Sequence, residues 1–231
     1  MHPELQKIDS SDESREETPQ KEARWEKWEK EIETMEDSKG REIGPNIKEA
    51  VIALNVLKIN TSASCEGHVE RGMTAPWIEV EAPNKPEKQF AGENEVFQKA
   101  AKKYGISFKD VRRAKNEQAQ AEAVKKSTHS QADETPEYKK WREENEKLMR
   151  KTVVLLDEFY KKRNTPDNLR LAVHPRAGGF RVVGGGEDYQ EAPNDLSDEE
   201  KHQLEKQLAG YREEMWQFAD FLKRKHFKAE K

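Results

Sequence analysis

The chain has 231 residues and contains few of the residue types that build large cores and covalent cross-links. It contains one cysteine, Cys65, which rules out an internal disulfide and favours a reducing compartment. Hydrophobic residues make up 33% of the chain and aromatic residues 8%, against 38% charged residues. A compact domain of this length carries roughly half apolar residues, so we expect a small core with long exposed helices.

Long apolar runs are absent as well. No stretch approaches the roughly 18 consecutive apolar residues of a membrane span. The first residues, Met1 to Leu5, lack the basic segment and apolar run of a secretion signal. With 42 basic and 46 acidic residues the net charge is −4, so the overall charge favours neither nucleic acid nor membrane as a partner. These features predict a soluble, cytoplasmic protein with no membrane partner.

The patterned part of the chain consists of two units with the order helix, strand, strand. The first unit is predicted at 41–83, where a helix opens at Gly44-Pro45. The second is predicted at 137–187, where a long charged helix comes first. The predicted strands are 59–65, 76–83, 169–174 and 180–183. The sequence therefore predicts an α+β fold with a small antiparallel four-stranded sheet and helices packed on it.

The remaining segments are predominantly charged. We predict a disordered acidic tail at 1–22, an N-terminal helix at 23–40, a helical insertion and loop at 84–136, and a linker with a C-terminal helix at 188–231. Both terminal helices carry a narrow apolar stripe, from Trp25 to Met35 and, with heptad spacing, from Leu204 to Leu222. We expect the two helices to pair in a monomer, and a coiled-coil homodimer through the same stripes is the alternative.

The candidate site begins where the first strand ends, in the turn Ser64-Cys65-Glu66-Gly67-His68. Serine and glutamate side chains and the backbone amides near Gly67 can hydrogen-bond a ligand at such a turn. The outward residues of the strands add aromatic and charged groups to this candidate site. They are Trp77, Glu79, Arg170, His174 and Arg181. The arrangement predicts one pocket for a small ligand or an anion.

Two other chemistries remain open at the same turn. Cys65, His68 and His174 are zinc ligand types and could form an open three-ligand metal site. A thiolate–imidazole pair of Cys65 with a histidine could instead act as a nucleophile. A buried cysteine that packs as a small hydrophobic residue is the structural alternative.

The insertion contains a second candidate, a basic helical hairpin at 94–124. Between residues 99 and 115 there are seven basic residues and one acidic residue. The segment resembles the helix-turn-helix of bacterial DNA-binding proteins, whose small, turn and apolar positions match Ala101, Gly105, Ile106 and Val111. The third packing helix of that family has no counterpart beside the hairpin. The resemblance implies DNA or RNA as an alternative partner.

A further local resemblance lies in the turn itself. The segment Thr61-Ser62-Ala63-Ser64-Cys65-Glu66-Gly67, which follows a helix, is similar to the Ser-Ser-Cys-x-Gly turn of the wybutosine-synthesis tRNA methyltransferases. His68 stands where that family has arginine, and the second half of the chain does not follow the family. The resemblance implies a nucleotide-type ligand at the turn.

Overall fold

The computed structural model describes residues 18–36, 42–127, 134–184, 191 and 195–228. Within these residues the helices are α1 (Thr18–Glu33), α2 (Pro45–Val56), α3 (Glu93–Tyr104), α4 (Phe108–Arg112), α5 (Glu117–Lys126), α6 (Pro136–Tyr160) and α7 (Asp198–Phe227). The strands are β1 (Thr61–Cys65), β2 (Trp77–Val80), β3 (Ala172–Arg176) and β4 (Gly179–Val183). The predicted α+β class is confirmed.

The four strands form one antiparallel sheet in the order β1-β2-β4-β3. The two predicted helix-strand-strand repeats, α2-β1-β2 and α6-β3-β4, therefore meet through their second strands. Their first strands lie at opposite edges of the sheet. Ile78 and Val80 of β2 and Phe180 and Val182 of β4 are fully buried, as alternation of side chains along a strand requires. This face of the sheet belongs to the main hydrophobic core.

The chain also divides into two compact units, which differ from these repeats. The first unit is built from 1–81 and 148–231, and the second unit from 82–147. In the first, α2 and the apolar stripe of α7 supply most of the helical side of the core, with Leu155, Leu156 and Phe159 of α6. The glycine-proline start and the run of apolar residues in α2 follow the predicted helix closely.

The C-terminal helix begins with a capping box. The Ser197 side chain accepts from the backbone N–H of Glu200, whose carboxylate accepts from the backbone N–H of Ser197. The heptad stripe that follows, including Met215 and Phe218, is buried in the core of its own chain. Burial leaves this stripe unavailable to a second copy, so the structure gives no support to the alternative of a coiled-coil homodimer.

The N-terminal helix starts earlier than its apolar stripe indicates, at Thr18 instead of residue 23. Most of the predicted acidic tail, residues 1–17, lies outside the described residues. Trp25 packs against Phe227 at the end of α7, with 5.7 Å between ring centroids, and Lys223 lies 4.6 Å over the Trp25 ring. The two terminal helices therefore touch near the end of α7, beyond the predicted stripe, whereas α7 packs mainly along α2.

The second unit contains a separate cluster of buried residues from α3, α4 and α5: Phe97, Ala100, Ala101, Val111, Ala119 and Ala123. The helical hairpin predicted at 94–124 is in fact three helices, because its second half is divided into α4 and α5. The chain breaks after Arg112, passes through Ala114 in the left-handed region (φ 56°), and restarts at the N-cap Asn116. Asn116 accepts a hydrogen bond from the Ala119 amide, a cap that favours a new helix start.

No helix in the described part of the chain is long and apolar enough to cross a membrane.

Candidate functional site

The Glu66 carboxylate caps the N-terminus of α2. Its Oε2 accepts hydrogen bonds from the backbone N–H of Asn46 (3.1 Å) and from the Asn46 side-chain amide (2.9 Å). Gly44, the N-cap residue of α2, makes no side-chain cap bond of its own. A Cβ on Gly44 would lie 2.5 Å from the Glu66 carboxyl carbon, so a larger residue there would displace the Glu66 side chain. The negative charge of Glu66 is stabilised at the positive end of the α2 dipole.

Arg212 of α7 holds the same turn from the other side. Its Nε donates to the carbonyl oxygen of Glu66 at 2.9 Å, and its Nη2 donates to that of Gly67 at 2.8 Å. The Nη2 also lies 3.8 Å from the Glu66 carboxylate. Arg212 is separated from Glu66 by 146 positions in the chain, so no local pattern in the sequence indicates this contact.

Gly67 is required by the backbone path of the turn. It is buried and adopts φ 78°, a conformation that favours glycine. A Cβ at this position would lie 2.6 Å from the Leu208 Cδ1 and 2.9 Å from the backbone carbon of Ala75. The next residue, His68, donates its backbone N–H to the Met73 carbonyl at 2.8 Å and closes the loop. The glycine therefore allows α7 to pack closely on the turn.

The outer face of the sheet carries an interlocked group of three predicted site residues. The Arg181 guanidinium lies 3.9 Å above the Trp77 ring, and its Nη2 is 2.6 Å from Glu79. The Arg181 and Glu79 side chains are only 17% and 23% exposed. Because the arginine is stacked on Trp77 and paired with Glu79, the charges of Arg181 and Glu79 already have partners within the protein. The Trp77 Nε1 has no hydrogen-bond partner among the described residues and is buried.

The sheet order separates the predicted metal ligands. Cys65 lies in β1 at one edge, opposite Trp77, whereas His174 lies in β3 at the other edge, opposite Arg181. Three interstrand spacings of about 4.8 Å put the two edges roughly 14 Å apart, too far for one metal ion to bind both residues. Nowhere in the part of the chain that the structure describes do three or more His, Cys, Asp or Glu residues form a group that could hold a metal ion.

Two more predicted residues lie apart from the turn and the outer face. Ser64 is paired with the fully buried Ile78, so its position in β1 belongs to the core side of the sheet. Arg170 precedes β3, where its Nε donates to the Thr165 carbonyl and its guanidinium lies 5.1 Å over the Tyr160 ring. The structure thus divides the predicted site among the turn, the outer face and these separate positions.

A pocket of about 380 Å³ opens between residues 68–71 and the start of α7. Its walls carry two arginines, Arg71 and Arg212, and two glutamates, Glu70 and Glu205, with His68, Val69 and Leu208 completing the lining. Of the site residues predicted from the sequence, His68 alone lines this pocket. Glu205 and Arg212 were missed because helix α7 shows only an apolar stripe in its sequence pattern.

A buried polar cluster joins the end of α6 to α7. Arg163 pairs with Glu214 at 2.6 Å, and Glu214 is 5% exposed. The Arg163 Nε and the Glu214 Oε1 have no hydrogen-bond partner among the described residues. Burial, and then the nearby charge of Glu214, raise the pKa of Tyr160 well above its usual value. The Tyr160 hydroxyl accepts from the Leu171 N–H, so this cluster positions the chain entering β3.

In the second unit, Arg112 has a structural role. Its guanidinium donates to Glu93 at 2.8 Å and to Asn94 at 2.7 Å, and it lies 4.2 Å over the Phe97 ring. These contacts tie α4 to the start of α3. Arg112, one of the basic residues of the hairpin predicted at 94–124, therefore packs inside the three-helix cluster.

Glu122 of α5 collects three donors at the edge of the same cluster. Hydrogen bonds from Lys103, then Lys126 and Tyr104, lower the pKa of Glu122 to about 2. The Lys103 ammonium is 2.5 Å from the carboxylate and the Tyr104 hydroxyl is 2.9 Å away. Lys103 and Lys126 thus share one carboxylate, which offsets one of their two positive charges.

Comparison with known proteins gave no match: no protein-family model, no curated protein and no solved structure is detectably similar to this chain.

Proposed function

We propose that this protein binds a small polar molecule that carries both a positive and a negative charge, in the pocket between residues 68–71 and α7. The observation that carries the proposal is the composition of the walls, where Arg71 and Arg212 are balanced by Glu70 and Glu205. A zwitterion has a counterpart for the arginine donors and for the Glu205 carboxylate, whereas a singly charged ligand has a counterpart for only one of them.

The size of the pocket supports a ligand near that of a free amino acid. A volume of about 380 Å³ lies at the low end of the roughly 300–1,000 Å³ that is common for small-molecule sites. Leu208 and Val69 supply apolar surface next to the charged walls. A molecule with an aliphatic side chain would bury that side chain against these two residues.

The anion-binding side is already ordered before a ligand arrives. Arg212 is fixed by two backbone carbonyls, and its Nη1 makes no hydrogen bond to another described residue. An arginine held in one orientation loses little side-chain entropy when it binds a carboxylate. Arg71 is exposed beside it, so the two guanidinium groups offer several donors to one carboxylate.

The cation-binding side rests on Glu205. Glu205 is exposed and makes no hydrogen bond within the described part of the chain, whereas Glu70 pairs with Lys201 at 3.0 Å. A ligand ammonium group therefore has Glu205 as its available carboxylate. A charge-assisted hydrogen bond of this kind contributes about 1.5–3 kcal/mol, which corresponds to roughly 10- to 100-fold in affinity.

The test is a thermal-shift and calorimetric titration of the full chain with matched probes. L-Leucine carries both charges, N-acetyl-L-leucine only the negative one, and L-leucinamide only the positive one. At a concentration 100 times its Kd, a ligand stabilises the protein by about 2.7 kcal/mol, a rise in Tm of roughly 5–11 °C for a chain of this size. We expect this shift with L-leucine and a much smaller one with each singly charged probe.

Two variants separate this site from the rest of the protein. Arg71→Gln and Glu205→Gln should each weaken L-leucine binding about 10- to 100-fold. Glu213→Gln, an exposed carboxylate on α7 that is not part of the pocket lining, is the matched control and should bind as the wild type does. Equal responses to all three probes, or equal affinities of Glu205→Gln and Glu213→Gln, would refute the proposal.

A further inference from the structure

The three-helix cluster of the second unit, residues 93–126, has a charge opposite to that of the whole chain. It contains nine lysines and arginines and five acidic residues, a net charge of +4, whereas the whole chain has a net charge of −4. The excess is local, and a local excess is the usual electrostatic footprint of a surface that binds polyanions.

The structure shows which of these nine basic residues are paired with an acidic residue within the cluster. Lys103 and Lys126 pair with Glu122, Lys115 pairs with Asp110, and Arg112 pairs with Glu93. Three of the five acidic residues are consumed in these pairs. The basic residues that remain exposed, with no hydrogen bond or salt bridge to another described residue, are Lys99, Lys102, Lys109, Arg113 and Lys125.

Four of these five residues flank the turn between α3 and α4. Lys99 and Lys102 are three residues apart in α3 and therefore share a helix face. Lys109 is in α4, and Arg113, four residues later, is the C-cap of that helix. The turn is built from Gly105 in the left-handed region (φ 67°), followed by Ser107, which caps α4. The buried cluster of Phe97, Val111 and Ala119 fixes both helices, so the basic side chains project from a rigid support.

The geometry does not favour reading of base edges. In helix-turn-helix proteins the second helix enters the major groove, but α4 has five residues and is roughly 7.5 Å long. Arg112, one of the two basic residues of α4, is stacked on Phe97 inside the cluster. Positive charge without a reading helix fits phosphate groups, which carry no sequence information.

We propose that residues 93–126 bind the phosphodiester backbone of nucleic acid through Lys99, Lys102, Lys109 and Arg113, without recognising its sequence. The structure supplies the third helix, α5, that completes the support for these side chains. The phosphodiester backbone is common to DNA and RNA, so the experiment distinguishes the two polymers. This site and the ligand pocket of the first unit share no residue.

The test uses the full chain and fluorescence anisotropy with a labelled 20-base-pair DNA duplex and a labelled RNA hairpin. With four phosphate contacts, log K falls with log salt concentration with a slope of about −3.6 for duplex DNA. Raising the salt from about 50 to about 200 mM should then weaken duplex binding roughly 150-fold. A duplex of scrambled sequence should bind with the same affinity within about twofold.

The decisive variant removes three exposed charges from the proposed surface, Lys102→Gln, Lys109→Gln and Arg113→Gln together. We expect the salt slope to fall by about 2.7, since each lost phosphate contact removes about 0.9. The matched control removes three exposed charges from the first unit, Lys161→Gln, Lys162→Gln and Lys206→Gln, and should leave the slope unchanged. Circular dichroism checks that both triple variants stay folded.

Each outcome decides the proposal. Absence of binding to both polymers at about 50 mM salt overturns it, and so does an equal loss of affinity in the two triple variants. A preference of tenfold or more between duplex sequences overturns the claim that sequence is not read. Binding that depends on the three basic residues supports it. The polymer, DNA or RNA, whose affinity falls more in the Lys102→Gln, Lys109→Gln and Arg113→Gln variant is the preferred ligand.

Discussion

Replacement of Gly67 by alanine tests how closely α7 packs on the turn after β1. Two costs follow from the structure. An L-residue with a φ near +78° is disfavoured by about 1–2 kcal/mol, and the new methyl group would lie 2.6 Å from Leu208 and 2.9 Å from the backbone of Ala75. Crowding of this kind costs about 1–3 kcal/mol, because backbone atoms cannot move aside as a side chain can. The sum is a loss of about 2–5 kcal/mol.

The same loop provides the control. Gly72 also has a positive φ, of 62°, but no atom lies within 4 Å of the position its Cβ would occupy. Gly72→Ala is therefore destabilised by the positive φ alone. The difference in free energy of unfolding between the two variants isolates the steric part, about 1–3 kcal/mol.

The measurement is the free energy of unfolding in urea, followed by tryptophan fluorescence, together with the Tm. A loss of 2–5 kcal/mol should lower the Tm by roughly 4–20 °C for a chain of this size. If Gly67→Ala is as stable as Gly72→Ala or more stable, the close approach of the Ala75 backbone to Gly67 is not present and the structural role of Gly67 must be abandoned.

Three further predictions concern the core and the perturbed groups. Met215→Ala should cost about 2–5 kcal/mol in urea unfolding because Met215 is fully buried, whereas Trp216→Ala, one residue along and 52% exposed, should cost less than about 0.5 kcal/mol. Because the pKa of Glu122 is lowered, its contribution to stability is complete above the unfolded value of about 4.5 and is lost as the pH falls toward 2. The difference in unfolding free energy between wild type and Glu122→Gln should therefore disappear between these pH values. A difference that stays constant would contradict the assignment. The pKa of Tyr160 is raised instead, so its contribution to stability is complete below the unfolded value of about 10 and is lost as the pH rises further. Tyr160→Phe should therefore abolish this loss of stability at alkaline pH. The absorbance titration of the variant should lack one phenol that ionises later than the others.

Much of the fold could be predicted because the relevant signals are local. Apolar spacing located α2 and α7, and alternation in the second strand correctly put Ile78 and Val80 on the buried side. The order helix, strand, strand, repeated twice, was sufficient for the α+β class. These features depend on side chains a few residues apart. The local conformational preferences of these side chains agree with the final fold, so they can be recognised without knowing the long-range contacts.

The candidate site could be predicted only in part, because its geometry depends on which strands pair. The sequence predicted one site that contains both Cys65 and His174. Pairing through the second strands puts the first strands at opposite edges and separates these residues by roughly 14 Å. Likewise, the role of Glu66 depends on Asn46, 20 residues earlier, and the pocket depends on Arg212, 146 positions after Glu66.

The sequence by itself determined the elements, their amphipathic faces and the positive charge of residues 93–126. Tertiary structure alone decided the partners of those faces. It buried the stripe of α7 within its own chain, used Glu66 and Arg112 in structural contacts, and left Lys109 and Arg113 exposed to solvent. The physical reason is that periodicity and charge are properties of neighbouring residues, whereas the partner of a charged group is set by the packing of the whole core.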